Sequence, residues 1–475
     1  MKKNCLATIL LALVLSVNTV AFATGSSSKA KTSESTKTEE KAEKKAEFPI
    51  PNADSAIVLD AKSGDIIYAL DADKKVYPAG LTNLMTAVLA LEAKGLNDTV
   101  QVTKEMLSGI TYDQPQLGLQ EGETYTIEQL VHAVILNSNN DASNALAIAT
   151  SGSVEEFVKK MNEKAKDLGL NDTNFVNPSG FHNENHYTTA SDMAYLAKYA
   201  MQNQAIASIA KIQKYTFPPT GIRTSEKTIL STNHLVSRYK YPYHYYANAT
   251  GLKSGNSTEA GYCLAATAVK NGFTVLSVIM GAPNQDANEK AYSFRDTAAI
   301  FDYVFDTYQS VLLAKKGDVI HDSKVEEAKN STRLALTVEE DVYTTLKKTA
   351  DKDIITNKVE VTEEVKAPIQ QGQVFGTVTY SYNDRELTTV NLVAANEVKR
   401  DFILHLINSI LGFIFHPIVI ILVLLALYVW ARLRIARNRK RRIRHSRMVS
   451  QRQGANRTGT TSRPTSSSYS RRRDY

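Results

Sequence analysis

The segment 402–431 contains no Asp, Glu, Lys or Arg. Within it, 411–430 is a run of 20 mostly apolar residues, about the length needed to cross the hydrocarbon core of a bilayer. Basic residues begin directly afterwards, at Arg432 and Arg434, and such clusters mark the cytoplasmic side of a membrane. A buried core helix is the alternative, but the length and the flanking charge favour a single transmembrane helix at 402–431, with Pro417 as the site of a kink.

The other end of the chain resembles a secretory signal peptide over 1–23. Lys2 and Lys3 precede an apolar stretch at 6–17, and the small-residue sequence Ala-Phe-Ala at 21–23 resembles a cleavage site. Residues 24–47 are rich in Ser, Thr, Lys, Glu and Ala, a composition typical of a disordered linker. The sequence therefore predicts a single-pass protein of the cell membrane, with its large domain on the cell-wall side and the tail 432–475 in the cytoplasm.

Export leaves one cysteine, because Cys5 lies in the predicted signal peptide. Cys263 then has no partner, so we expect no intrachain disulfide.

The basic balance of the chain arises in its tail. The formal net charge is +7, but residues 431–475 contain 15 Lys and Arg and one Asp, so the rest of the chain sums to −7. An acidic folded part argues against nucleic-acid binding. The tail is predicted to stop translocation and contact lipid headgroups, and its Ser- and Thr-rich end, 458–470, is alternatively a phosphorylation site or a handle for an unidentified protein partner.

Two folded domains are predicted between the chain ends. Residues 48–311 alternate strand-like and helix-like patterns and form an α/β layered domain. Its expected strands are 56–59, 66–68 and 273–280, and its expected helices are 84–91, 127–136, 141–150, 154–168 and 190–201. Residues 312–398 are richer in β-branched residues, with strand-like runs at 334–338, 358–365 and 374–382, and form a small all-β domain.

Three short motifs follow one another in the first domain. They read Pro-Ala-Gly-Leu-Thr-Asn-Leu-Met-Thr at 78–86, Ser-Asn-Asn at 138–140 and Lys-Ser-Gly at 253–255. Either of the last two alone occurs by chance in many proteins, but chance does not explain all three in this order inside matching flanks, such as 250–264, 177–180 and 295–297. Together they resemble the S-x-x-K, S-x-N and K-[TS]-G signatures of penicillin-recognising serine enzymes.

The specific resemblance is to the D-alanyl-D-alanine carboxypeptidase family, also called peptidase S11 or low-molecular-mass penicillin-binding proteins. That family would read P-A-S-L-T-K-L-M-T at 78–86, so Gly80 stands at the position of the nucleophilic serine and Asn83 at that of the basic lysine. The resemblance covers 48 to about 398. It implies a β-lactamase/transpeptidase-like fold followed by a small β-domain, and it implies no cofactor.

The resemblance also assigns roles to the retained residues. Ser138 would relay the proton in catalysis, and Asn140 would contact the amide of the substrate. Lys253 would add positive charge and Ser254 would hold the terminal carboxylate.

Gly255 completes the third motif, on a strand that would line the oxyanion hole. A metal site at His182 and His186 is not expected, because these residues lie in an Asn-rich loop pattern. A second Ser-x-x-Lys pattern, Ser237 to Lys240, precedes no amphipathic helix and is interpreted as coincidence.

A glycine has no atom that could attack a carbonyl group, and an asparagine exchanges no proton at any useful pH. The sequence therefore predicts a catalytically inactive, membrane-anchored scaffold or binding protein whose ligand is a peptidoglycan stem peptide. Two alternatives stay open. One is an active D-alanyl-D-alanine carboxypeptidase that uses a non-standard nucleophile, and the other is a structural membrane anchor that binds no ligand.

Overall fold

The computed structural model describes residues 47–285, 291–329, 333–362 and 365–454. The predicted signal peptide, all of the predicted linker except Glu47, and the last part of the tail lie outside these ranges. The described residues from Phe48 onward form one compact unit.

The first domain alternates helices with strands, as its sequence patterns predict. In chain order its elements are β1 (Ser55–Asp60), β2 (Ile66–Leu70), a 3-10 turn (Ala79–Thr82), α1 (Asn83–Ala93), β3 (Thr99–Gln101), β4 (Thr124–Thr126), α2 (Ile127–Asn137), α3 (Asn140–Ser151), α4 (Val154–Asp167), α5 (Ala190–Gln202), α6 (Gln204–Ile209), β5 (Lys214–Phe217), β6 (Lys227–Leu230), a second 3-10 turn (Pro242–His244), β7 (Ala249–Ser257), β8 (Gly261–Lys270), β9 (Phe273–Ala282) and α7 (Tyr292–Thr307).

Five antiparallel strands form the central sheet in the order β2-β1-β9-β8-β7. Successive side chains of a strand point to opposite faces. Ile57 and Leu59 of β1 accordingly join the larger core with α1–α5, whereas Ala56 and Val58 join the core that contains α7. Both faces of the sheet are covered, and β7 is left at its edge, where it borders the candidate site.

The helices begin and end at residues that satisfy their free backbone groups. Thr126 and Gln129 form a reciprocal capping box at the start of α2. Ser153 accepts a hydrogen bond from Glu156 N at the start of α4, whose buried residues Phe157 and Met161 lie one turn apart on the core face. These local signals explain why the periodic patterns of the sequence predict helices that the structure contains.

The second domain is all β, apart from one short 3-10 turn. Its strands are β10 (Tyr308–Ala314), β11 (His321–Lys324), β12 (Arg333–Thr337), β13 (Val342–Lys347), β14 (Ile355–Val361), β15 (Val374–Tyr382) and β16 (Arg385–Ala394). Five of them form a sheet in the order β11-β12-β16-β15-β14, and β10 pairs with β13. Leu334, Leu336, Val378 and Leu392 are completely buried in its separate core.

Two carboxylates of the first domain connect it to the second. Asp60 Oδ2 accepts hydrogen bonds from Ser310 Oγ (2.8 Å) and Thr345 Oγ1 (3.1 Å). Asp65 Oδ2 accepts from Thr344 Oγ1 (2.9 Å) and from the backbone N–H of Thr345 (2.6 Å). Hydrogen bonds to charged acceptors are stronger than those between neutral groups. These four bonds therefore hold the β-domain against the turn between β1 and β2.

The segment predicted as one transmembrane helix forms two helices, α8 (Phe402–Ile414) and α9 (Pro417–Gly454). The interruption has a local cause, because Pro417 donates no backbone hydrogen bond and disfavours helical geometry at His416. Among the described residues, Pro417–His445 is the helix long and apolar enough to suit a membrane span, with a mean hydropathy of 2.3 over its most apolar 18 residues.

Candidate functional site

The three sequence motifs meet beside the edge strand β7. The 3-10 turn Ala79–Thr82 lies directly against the backbone of β7: a methyl group on Gly255 would lie 2.4 Å from Gly80 N and 2.6 Å from Gly80 Cα. Only glycine permits this approach at position 255. Ser138, at the end of α2, borders the same space, so Gly80, Ser138 and Gly255 surround one cleft.

Gly80 lies in the 3-10 turn Ala79–Thr82, directly before α1. A methyl group on Gly80 would lie 2.6 Å from Ser138 Oγ, 3.3 Å from Ser138 Cβ and 3.2 Å from Gly255 Cα. These separations are shorter than ordinary van der Waals contacts. The space in which a side chain at position 80 would stand is therefore already partly filled.

Asn83 is completely buried and fully hydrogen-bonded to neutral groups. Its Nδ2 donates to the carbonyl oxygens of Gly80 (3.0 Å) and Ser179 (3.1 Å), and its Oδ1 accepts from Ser143 Oγ (2.7 Å). A carboxamide has no proton to exchange at ordinary pH. Asn83 thus joins the turn, the 177–180 loop and α3 mechanically, and it supplies no acid or base.

Ser138 and Lys253 form the shortest polar contact in the cleft. Lys253 Nζ donates to Ser138 Oγ at 2.5 Å. Ser138 is partly exposed and has a left-handed backbone (φ 54°), which turns its hydroxyl toward β7. Lys253 is completely buried beneath it, and this burial lowers the pKa of its ammonium group to about 7. A ligand in the cleft would contact Ser138 directly, and the charge of Lys253 would act on the ligand through the Ser138 hydroxyl group.

Asn140 lies at the first position of α3 and is 5% exposed. Its Nδ2 donates to Gln114 Oε1 at 3.0 Å, and its backbone N–H donates to the carbonyl of Pro115 at 2.8 Å. The residue to which the resemblance assigns a substrate contact is therefore bonded to a segment of the protein itself.

Ser254 follows Lys253 on β7, with its side chain directed toward Thr232. Ser254 Oγ donates to Thr232 Oγ1 at 2.9 Å, and Thr232 is partly exposed. Thr232 Oγ1 donates in turn to the Leu136 carbonyl at 3.2 Å. The two hydroxyl groups thus stand side by side at the rim of the cleft, and each could donate to a carboxylate after turning from its present acceptor.

His182 and His186 lie outside any helix, in the loop behind the 3-10 turn. His186 Nε2 shares a hydrogen bond with Thr82 Oγ1 at 2.9 Å, and burial lowers the pKa of His186 to about 4. Within the described ranges, no group of three His, Cys, Asp or Glu side chains could hold a metal ion. Ser237 and Lys240 lie in an irregular segment and contribute nothing to the cleft.

The structure adds four residues to the site that the motifs do not single out, namely Gln114, Ser143, Ser179 and Thr232. The 177–180 stretch already fits the family pattern, which is a signal for Ser179. Ser143 lies one turn after Asn140 on the same helix face, a weak signal. Gln114 and Thr232 reach the cleft from loops and have no local signature.

An antiparallel sheet covered by helices, with three motifs converging at its edge strand and a small β-domain after it, defines a protein of the penicillin-recognising peptidase class. The sequence profile described as "D-alanyl-D-alanine carboxypeptidase" (Peptidase_S11) matches residues 40–284, and that described as "Penicillin-binding protein 5, C-terminal domain" matches 308–400. The chain belongs to the D-alanyl-D-alanine carboxypeptidase family, peptidase S11.

Individual relatives agree with this assignment. D-alanyl-D-alanine carboxypeptidase DacF of Bacillus subtilis is 31% identical over 352 residues, which are 73% of this chain and 85% of that protein. Penicillin-binding protein 5 of Haemophilus influenzae is 26% identical in sequence with a TM-score of 0.63, covering 75% of this chain and 100% of the other. A peptidoglycan synthesis regulatory factor (PBP3) of Streptococcus pneumoniae is 25% identical with a TM-score of 0.60, covering 74% and 100%.

Proposed function

We propose that this protein is a catalytically inactive, membrane-anchored member of its family that binds peptidoglycan stem peptides ending in D-Ala-D-Ala. The observation that carries the proposal is the position of Gly80. It has no side chain with which to attack a carbonyl, and the space for one is restricted by Ser138 Oγ, 2.6 Å from a methyl group placed there. Removing the nucleophile of a serine hydrolase lowers kcat by about a millionfold.

The position of the missing base supports the same proposal. The Asn83 side chain hydrogen-bonds to the carbonyls of Gly80 and Ser179 and to the Ser143 hydroxyl. It therefore has no unpaired amide group that would bind a catalytic water. Both of the residues that would carry out acylation are thereby replaced, while the residues that would hold a ligand are kept.

The ligand-binding part of the proposal uses the opposite wall of the cleft. The hydroxyls of Ser254 and Thr232 could turn from their present acceptors, Thr232 Oγ1 and the Leu136 carbonyl, to donate to the terminal carboxylate of the peptide. Lys253 carries no solvent-exposed surface, so its charge acts on the carboxylate through Ser138. A positive charge in a low-dielectric setting attracts an anion more strongly than one in water.

The membrane arrangement belongs to this proposal too. The 15 apolar residues 417–431 of α9 span roughly 22 Å as a helix, less than the roughly 30 Å of a bilayer core. The stems of Arg432 and Arg434 can extend the buried length while their charges reach the headgroups on the cytoplasmic side. The folded domains then face the cell wall.

Helix α8 fits the outer surface of the same membrane. Phe402, Ile403 and Ile407 expose 74%, 68% and 47% of their surface, so α8 presents apolar side chains beside the span. On its polar side, His405 Nδ1 lies 2.7 Å from Glu327 Oε2 of the β-domain. This contact would fix the β-domain close to the bilayer.

A second candidate function is favoured by the contact between Lys253 and Ser138. With a pKa near 7, Lys253 is partly neutral at neutral pH and could accept the Ser138 proton as the hydroxyl oxygen attacks the carbonyl carbon of the penultimate D-Ala. The C–N bond would break, the proton would pass to the departing D-Ala amine, and water would hydrolyse the resulting ester. This is a D-Ala-D-Ala carboxypeptidase with Ser138 as nucleophile.

Isothermal titration calorimetry on the full-length protein with a diacetyl-L-lysyl-D-Ala-D-Ala peptide tests the proposal, alongside an assay for released D-alanine. The proposed function predicts saturable heat that weakens in Ser254→Ala, and no D-alanine. D-alanine release that disappears in Ser138→Ala would establish the second candidate instead. If no form of the protein produces binding heat or releases D-alanine, the result would favour the structural membrane anchor that binds no ligand.

A further inference from the structure

The segment 111–119 covers the start of α3. Asp141, which is 1% exposed, accepts three backbone hydrogen bonds from its second half: Leu117 N to Oδ1 (2.9 Å), and Gly118 N (2.7 Å) and Leu119 N (2.9 Å) to Oδ2. These bonds to one buried carboxylate hold residues 117–119 firmly.

The first half of the segment is attached less firmly. Tyr112 is 98% exposed, and its neighbours Thr111 and Asp113 are also exposed. Two bonds hold this half to α3, namely Pro115 O to Asn140 N and Gln114 Oε1 to Asn140 Nδ2. Few contacts and high exposure identify residues 111–116 as the part that opens at low cost.

Gln114 carries the same functional group as the ligand. Its side-chain carboxamide oxygen accepts a hydrogen bond from Asn140 Nδ2 at 3.0 Å, as a peptide carbonyl would. Because Asn140 is only 5% exposed and its amide nitrogen is bonded to Gln114, a ligand carbonyl that approaches this amide would compete with Gln114 for it.

We propose that Gln114 is a built-in competitor that occupies the amide-binding position at Asn140 and leaves it when a stem peptide binds. The inference rests on the proposed binding function and adds its regulation. When a ligand amide replaces the Gln114 amide at Asn140, the number of hydrogen bonds stays the same. The form in which Gln114 is bonded to Asn140, here called closed, therefore lowers the apparent affinity for the peptide without abolishing binding. The apparent dissociation constant equals the intrinsic constant divided by the open fraction.

The test is calorimetry on the full-length protein with the diacetyl-L-lysyl-D-Ala-D-Ala peptide. Gln114→Ala removes the competitor and should tighten binding roughly 2- to 10-fold, the equivalent of one net hydrogen bond. Gln114→Glu replaces the amide with a charged acceptor, which holds Asn140 more strongly and should weaken binding. Gln116→Ala, an exposed glutamine of the same segment, is the matched control and should leave the affinity unchanged.

Hydrogen exchange of the ligand-free protein gives a second readout. Gln114→Ala should speed exchange in residues 111–116 and not in residues 117–119, whose N–H groups bond to Asp141. Unchanged or weaker peptide binding by Gln114→Ala, in a protein whose wild-type form binds, overturns the role of Gln114 alone. Absence of heat from both the wild type and Gln114→Ala overturns the binding function, and the competitor with it.

Discussion

Lys253 Nζ lies 2.5 Å from Ser138 Oγ, and Lys253 is completely buried. In this cleft the pair stands beside Gly80, which has no hydroxyl group whose proton Ser138 could relay. The pair is therefore retained at a place where the nucleophilic side chain of the family is missing. Its properties can be tested separately from those of the replaced residues.

Restoring the replaced residues is the first prediction. Gly80→Ser combined with Asn83→Lys should restore covalent labelling by a fluorescent penicillin, because the Ser138, Lys253 and Ser254 side chains remain in place. The new Cβ would meet Ser138 Oγ at 2.6 Å, so the Ser138 hydroxyl must rotate, and overpacking of this kind costs about 1–3 kcal/mol of stability.

Gly80→Ala with Asn83→Lys is the control for that experiment, since it introduces the same crowding without a hydroxyl and should stay unlabelled. A folded Gly80→Ser, Asn83→Lys protein that remains unlabelled would show that the cleft differs from an active one elsewhere too.

The stability contributed by Asn83 is the second prediction. Asn83→Ala should lower the free energy of unfolding by about 1–3 kcal/mol, because it removes the side-chain donor to the buried Ser179 carbonyl, whereas the Gly80 carbonyl keeps its bond from the backbone N–H of residue 83. Ser143→Ala should cost less, since the Asn83 amide then keeps two of its three partners. Urea denaturation of both variants measures the difference, and equal losses would argue against a central role for the Asn83 amide.

The pH dependence of stability is the third prediction. Burial lowers the pKa of Lys253 from 10.5 in its ordinary state to about 7. Between these values the unfolded chain binds a proton that the folded chain has released, so this group makes stability rise as pH increases from about 7 to 10.5. Below pH 7 the destabilising effect of burying the charge is fully present.

Lys253→Met should therefore stabilise the protein at pH 6 by up to roughly 5 kcal/mol and flatten its stability profile between pH 7 and 10. Lys104→Met removes an exposed lysine and should leave the profile unchanged. Chemical denaturation across this pH range provides the measurement, and an identical slope in wild type and Lys253→Met would contradict the assigned pKa.

The pH dependence of binding is the fourth prediction. A carboxylate in the cleft favours protonated Lys253, so the affinity for a peptide with a free terminal carboxylate should fall roughly fivefold between pH 6 and 8. The same peptide with a terminal amide carries no charge there and should show little change. Calorimetric titrations of the two peptides at each pH measure the difference. An equal pH dependence of the two affinities would show that Lys253 takes no part in binding the carboxylate.

Much of the fold could be predicted from the sequence, because its signals are local. The spacing of Phe157 and Met161 predicts a helix at α4, the unbroken apolar run 56–59 reflects a strand buried on both faces of the sheet, and the order of the motifs identifies the family. The site was predicted less completely. Gln114 bonds to Asn140, 26 residues further along the chain, and Thr232 bonds to Ser254, 22 residues further along. Nothing in the local sequence encodes such contacts.

One further difference has a physical cause that composition does not reveal. Lys253 is completely buried, whereas a lysine in a sequence is expected to be exposed, and its burial depends on segments that are far apart in the chain, as its bond to Ser138 shows. The separation of α8 from α9, by contrast, falls at Pro417, where the sequence predicts a kink.

Whether a nucleophile stands in this cleft is tested most directly by the intact mass of the full-length protein after exposure to excess penicillin. The wild type is expected to keep its unmodified mass, and the Gly80→Ser, Asn83→Lys variant serves as the positive control. A wild-type mass increased by one penicillin, mapped to Ser138 or any other cleft residue, would contradict the proposed loss of the nucleophile.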